Sequence, residues 1–191
     1  MLLIRTKSRA FLLGALAVAL ATQPALAQFS DSYNFLKAVD DRDGAEAEKY
    51  ISEPGSVIIN TKRDGTGETA LHLVVARKDD TWLGYLLQKG ANPNLADRKG
   101  VSPLMLATQL GFTEGVLRLL KYKASVDATN RSGETALIRA VQLRQPELVR
   151  ILLKAGANPD KRDSVAGLSA REYAAQDGRN SAILAIIERG G

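Results

Sequence analysis

Apolar residues recur along this chain in pairs one helical turn apart. Trp82/Leu83 with Leu86/Leu87, Val116 with Leu119/Leu120, Leu148/Val149 with Leu152/Leu153, and Ile183 with Ile186/Ile187 each draw one buried stripe on a short helix. A shorter apolar run precedes each stripe and starts after a hydroxyl residue: Thr69 before Ala70-Leu71-His72-Leu73-Val74-Val75, with Ser102, Thr135 and Ser169 at the same place elsewhere. A hydroxyl there accepts hydrogen bonds from the free amides of a helix start, so the pattern predicts a capped first helix followed by a second. Pro103 suits the first position of a first helix, where a missing N–H costs nothing, and Pro146 suits the start of a second one. Gly90 and Gly156 suit left-handed helix ends, and the turn-rich segments Ala91-Asn92-Pro93-Asn94 and Ala157-Asn158-Pro159-Asp160 follow them.

One phrase opens each of these helix pairs. It reads Gly67-Glu-Thr-Ala-Leu-His72, Gly100-Val-Ser-Pro-Leu-Met105, Gly133-Glu-Thr-Ala-Leu-Ile138 and Gly167-Leu-Ser-Ala-Arg-Glu172, with steps of 33, 33 and 34 residues between the glycines. Equal spacing marks copies of one supersecondary unit, and such units stack into a solenoid whose members touch only their neighbours. That architecture offers a long exposed face in place of a single deep cleft.

The phrase, the 33-residue step and the Gly-Ala-Asn-Pro-Asn turn resemble ankyrin repeats, from about Phe29 to Gly191. The resemblance implies an all-α ankyrin-repeat solenoid of helix-turn-helix units joined by β-hairpin tips. Its units would be a divergent N-terminal cap at 29–66, full units at 67–99, 100–132 and 133–166, and a C-terminal cap at 167–191. Asn34–Val39 and Ala45–Ile51 read as the two helices of the first. Three departures stand out. Lys123 replaces the usual glycine at a helix end, which demands a left-handed non-glycine residue or a different ending. Gly115 replaces a large apolar residue, which predicts a soft middle unit. Arg171-Glu172 replaces Leu-His, which suits a terminal cap facing water.

The first residues change the picture of where the protein works. Arg5, Lys7 and Arg9, an apolar run from Ala10 to Ala21, and Ala25-Leu26-Ala27 have the order of an export leader, 1–27, cleaved near Ala27, so the mature domain is 28–191. The expected location is periplasmic or secreted, without a stable membrane anchor; the run is shorter than the roughly 18 residues a spanning helix needs. The chain has no cysteine, so it can carry neither a disulfide nor a lipid on one. Its formal charge of +5 falls once the leader's three cations are removed, leaving 23 basic against 21 acidic residues, interspersed. Nothing in that balance suggests a nucleic-acid partner.

Candidate chemistry is sparse. His72 is the one histidine, which excludes histidine clusters for metal, and the family resemblance gives it a structural hydrogen bond to the neighbouring hairpin. Asp41-Arg42-Asp43-Gly44 starts like a calcium loop, but Ala45 and Ser52 stand where ligands are required. Asp79-Asp80 fits a helix start, Gly65-Thr-Gly-Glu68 lacks a phosphate-loop lysine, and Trp82 falls on a buried stripe. No catalytic residue, cofactor or metal is expected, and the chain is not expected to be an enzyme.

By the same resemblance, partners would meet the hairpin tips and the exposed side of the first helices, on the concave face. Those positions are Glu68 with Thr66, then Arg98, Lys99 and Val101, then Arg131 and Glu134 with Ser132 at the tips, and Arg77, Gln109, Leu110, Gln142 and Leu143 on the helices. Leu110 and Leu143 are expected to form a small solvent-facing apolar strip flanked by arginines. The implied function is a periplasmic module that binds a protein partner, as accessory or protector of an envelope protein; the alternative is an inhibitor or immunity protein that blocks a secreted toxin or hydrolase.

Overall fold

The computed structural model describes the backbone of residues 23–52 and 56–190, with side chains from Ser30 onward. The leader expected at 1–27 lies largely outside the described residues, and its last residues belong to the first helix. The described residues form ten α-helices: α1 (Gln23–Asp41), α2 (Gly44–Ile51), α3 (Ala70–Ala76), α4 (Asp80–Gln88), α5 (Pro103–Gln109), α6 (Thr113–Lys121), α7 (Ala136–Gln142), α8 (Pro146–Lys154), α9 (Ala170–Gln176) and α10 (Ser181–Glu188). They pair in sequence order as five antiparallel hairpins. The odd-numbered helices stack into an inner row and α4, α6, α8 and α10 into an outer row.

Local rules place most of these boundaries. Ser102, Thr135 and Ser169 accept at their hydroxyls from the amides of Met105, Ile138 and Glu172 at 3.2, 3.2 and 3.3 Å. Glu172 returns the bond, accepting from the Ser169 amide at 2.9 Å, so the departure from histidine builds a reciprocal cap. At the turn between the two helices of the first four units, Arg42, Lys78, Gly111 and Arg144 share a left-handed φ of +55° to +62°. Three of the four are not glycine, an ending that periodicity alone does not disclose. Lys123 takes the first of its two predicted options: its φ is +63°.

The repeated glycines answer a contact as well as a conformation. At Gly67, Gly100 and Gly133 a Cβ would come 2.8, 2.9 and 2.7 Å from the backbone nitrogen of Arg98, Arg131 and Ser164 on the following tip. Those same amides donate to the carbonyls of Thr66, Lys99 and Ser132 at 2.9, 3.0 and 2.9 Å. Each tip is thus bonded to the next through main-chain atoms, and any side chain on the glycine would force them apart. The expected β-hairpins shrink to turns: the described residues contain isolated bridges, Thr129 to Thr135 and Arg162 to Ser169, and no strand. A second ladder runs through the turns after the outer helices. Asn60, Asn94 and Asp127 accept at Oδ1 from the amides of Asn92, Ser125 and Asn158 at 2.8, 2.7 and 2.9 Å. In the same register Asp160 is held by Arg171, 2.7 Å from Nε.

The middle unit does not lack packing at Gly115. The Phe112 ring occupies that space, so a Cβ on Gly115 would lie 2.3 Å from Cδ1, and Phe112 is 4% exposed. The expected softness therefore has no vacant volume behind it. Gly84 plays a comparable part between units: Arg118 crosses over it, 2.9 Å from where its Cβ would be, and reaches both carboxylate oxygens of Asp80.

Candidate partner-binding surface

The tip ladder uses main-chain atoms, so tip side chains are left to project. Asp97 accepts at Oδ1 from the amides of Lys99 and Val101, both at 2.8 Å, and Asn130 accepts from those of Ser132 and Glu134 at 2.9 and 3.0 Å. Asp163 does the same for the last tip, accepting from the amides of Val165, Ala166 and Gly167 and from the Tyr173 hydroxyl at 2.6 Å. These short side-chain turns hold three tips in one shape.

Arg98, Lys99 and Arg131 are exposed, and their side chains find no hydrogen-bond or ion-pair partner among the described residues. The other predicted positions are more committed. Glu68 lies 3.6 Å from Arg63 and accepts from the Thr66 hydroxyl at 2.9 Å. Arg77 donates to the Val39 carbonyl at 2.8 Å, pairs with Asp79 at 3.2 Å and lies over the Trp82 ring at 5.8 Å. It joins α1 to α3 through Nη1, while Asp79 and Trp82 of its own unit engage the rest of the guanidinium except Nη2, which has no partner among the described residues. Trp82 itself is half-buried. Glu134 accepts from Asn130 at 2.7 Å and faces Arg139 at 3.4 Å.

On the inner helices Gln109 and Gln142 are half-buried, and Leu143 is 42% exposed. The expected strip of two solvent-facing leucines is corrected in part: Leu110 is half-buried and packs on the core. Its amide still closes the last turn of α5, donating to the Leu106 carbonyl at 3.0 Å. The predicted set also missed residues four positions after the capping hydroxyl, where the 33-residue register aligns Leu73, Leu106, Arg139 and Tyr173. Leu106 and Tyr173 are partly exposed against the core. Arg139 donates to Gln142 at 2.8 Å, and its buried Nε has no partner. The signal for this row lay in the alignment of the copies, because polarity changes there while the following position stays apolar as Val74, Ala107, Ala140 and Ala174.

His72 sits behind this surface. Its Nδ1 accepts from the Thr69 amide at 3.1 Å, and its Nε2 lies 2.9 Å from the Val101 carbonyl of the next tip. Burial lowers its proton affinity, partly opposed by that carbonyl. The ring joins two units, the structural role the resemblance implied. No cluster of metal-ligating side chains occurs among the described residues, and none of their helices is long and apolar enough to cross a membrane.

A family model described as "Ankyrin repeats (3 copies)" matches residues 37–130, 71–163 and 115–190. The chain is 33% identical over 118 residues to Transient receptor potential cation channel subfamily A member 1 of Homo sapiens, a match covering 61% of this chain and 10% of that protein. It is 35% identical over 113 residues to an ankyrin repeat-containing protein of Treponema pallidum (strain Nichols), covering 59% and 38% respectively. To Neurogenic locus notch homolog protein 4 of Homo sapiens it is 40% identical over 95 residues, covering 49% and 5%. The match thus spans well under two thirds of the length of each of these relatives.

Proposed function

The chain belongs to the ankyrin-repeat family, and on that premise we propose that it is a periplasmic protein-binding module, accessory to or protective of an envelope protein. The observation that carries this reading is the division of labour in the tips. Main-chain amides and carbonyls fasten each tip to its neighbour, and exposed side chains are left over along one edge. An array built this way keeps its shape whichever side chains it displays. Leu143, at the end of α7 on the inner row, supplies an exposed apolar contact of the kind that anchors an interface. The leader-like start motivates the compartment. N-terminal sequencing of protein from the periplasmic fraction should begin near Gln28; an intact start in the cytosol removes the compartment from the proposal.

The binding reading is tested by placing a photocrosslinking residue at position 143 on the inner row, and at position 117 on the outer row as a control. Leu117 is 52% exposed, so both probes reach solvent. Position 143 should capture a discrete partner in living cells, and position 117 should not. Identical captures from both, or none from 143, would remove the inner face as the binding surface. A captured toxin or hydrolase whose activity falls on binding would move the role from protector to inhibitor.

A further inference from the structure

Three cations stand on two neighbouring tips, and among the described residues no acid pairs with them. Arg98 and Lys99 are adjacent in sequence, and the Arg131 amide donates to the Lys99 carbonyl at 3.0 Å, so the three residues share one rung of the tip ladder. The other tip cations are engaged. Arg63 pairs with Asp40 and Glu68, Lys62 donates to the Ala96 carbonyl at 2.6 Å, and Arg162 donates to the Gly167 carbonyl at 2.7 Å and pairs with Glu172. Nor do the local acids reach Arg98, Lys99 or Arg131: Asp97 turns back on its own loop amides, and Glu134 faces Asn130 and Arg139. Like charges held within roughly one Debye length, about 8 Å, repel one another and are relieved by an anionic partner.

The surroundings narrow what that anion is. Asp64 and Glu68 stand on the tip before the cations and Glu134 on the same tip as Arg131, so a long uniform polyanion lying along the tips would meet acidic side chains along its path. On the tip and the inner helices Val101 and Leu106 are half-exposed and Leu143 is exposed, and these suit apolar side chains and offer nothing to a sugar-phosphate backbone. We propose that the tips at Asp97–Val101 and Asn130–Glu134 bind a short acidic segment of a partner protein, with its carboxylates on Arg98, Lys99 and Arg131 and its apolar side chains against Val101, Leu106 and Leu143. This rests on the protein-binding function proposed above. It adds the chemistry of the partner.

The test uses the purified protein and a fluorescein-labelled peptide of repeating Glu-Glu-Leu, about 15 residues long, with a Lys-Lys-Leu peptide and an oligothymidylate of similar length as the other arms. Only the acidic peptide should bind well, and its affinity should fall about tenfold or more between roughly 50 and 300 mM NaCl. The triple variant Arg98→Glu, Lys99→Glu, Arg131→Glu should lose about tenfold or more while its melting temperature stays within a few degrees, because these exposed side chains make no hydrogen bond or ion pair among the described residues. A variant that binds the acidic peptide as well as the parent overturns the proposal, as does no binding at low salt. Tighter binding of the oligothymidylate assigns the cations to nucleic acid instead. If position 143 captures a partner in cells and the triple variant keeps it, this inference fails while the binding function stands. If position 143 captures nothing but the peptide binds charge-dependently, the carboxylate contacts on the tip cations stand, and the inner face, with the apolar contact to Leu143, is overturned.

Discussion

His72 makes contacts that only one tautomer can satisfy. The Val101 carbonyl can only accept, so Nε2 carries the proton; Nδ1 is then bare and accepts from the Thr69 amide, with the Thr69 hydroxyl turned toward it at 2.9 Å. Adding a proton to Nδ1 would break the helix cap and charge a buried ring. In the unfolded chain the imidazole titrates near 6.5, and in the fold its value is lowered, so between the two the unfolded state binds more protons. The stabilising contribution is therefore complete above about pH 6.5 and lost as pH falls through the lower folded value. Urea midpoints should be level above neutrality and decline just below pH 6.5. His72→Leu should flatten that decline, since no other histidine exists, and should cost about 1–3 kcal/mol at pH 7.5 by stranding the Thr69 amide and the Val101 carbonyl. An unchanged slope in the variant would mean that another group sets it.

At the scale of one helix, α6 shows a vacancy filled from within. Gly115→Ala would normally help a helix by about 1 kcal/mol. Here the added methyl would sit 2.3 Å from the Phe112 ring, and overpacking of that kind costs about 1–3 kcal/mol. The variant should melt lower than the parent; a higher melting temperature would show that the ring moves aside freely. Caps, stripes and helix-ending glycines were legible in the sequence because each obeys a rule that spans a few residues. Phe112 and Gly115 were within reach too, since positions three apart share a helix face, but the notion of a missing side chain hid the neighbour that replaces it. Arg118 over Gly84 was out of reach, because the two meet across units. The site divides the same way. Arg98, Lys99 and Arg131 could be assigned to tips by register, but their freedom from partners could not, because Arg63 and Arg77 differ from them only through acids and carbonyls on other elements. Leu110 was misjudged for the same reason: its burial comes from packing that the copies do not reveal.

The whole molecule is held by contacts between neighbours, inner row on inner row and outer row on outer row. Stability should accordingly be distributed unit by unit. Removing residues 167–191 strips α9 and α10 from α7 and α8 and opens their buried face, including Leu137, Val141 and Leu152, to water. The shortened protein should keep a cooperative but earlier urea transition with a smaller m value, in line with the smaller surface it exposes on unfolding. Complete loss of helical signal would show instead that the array folds only as a whole. The main-chain fastening of the tips has a practical consequence for redesign. Since residues 98, 99, 131 and 132 join the scaffold by peptide groups, their side chains work as interchangeable teeth on a fixed comb, and the protein can be retargeted by swapping teeth without rebuilding the handle.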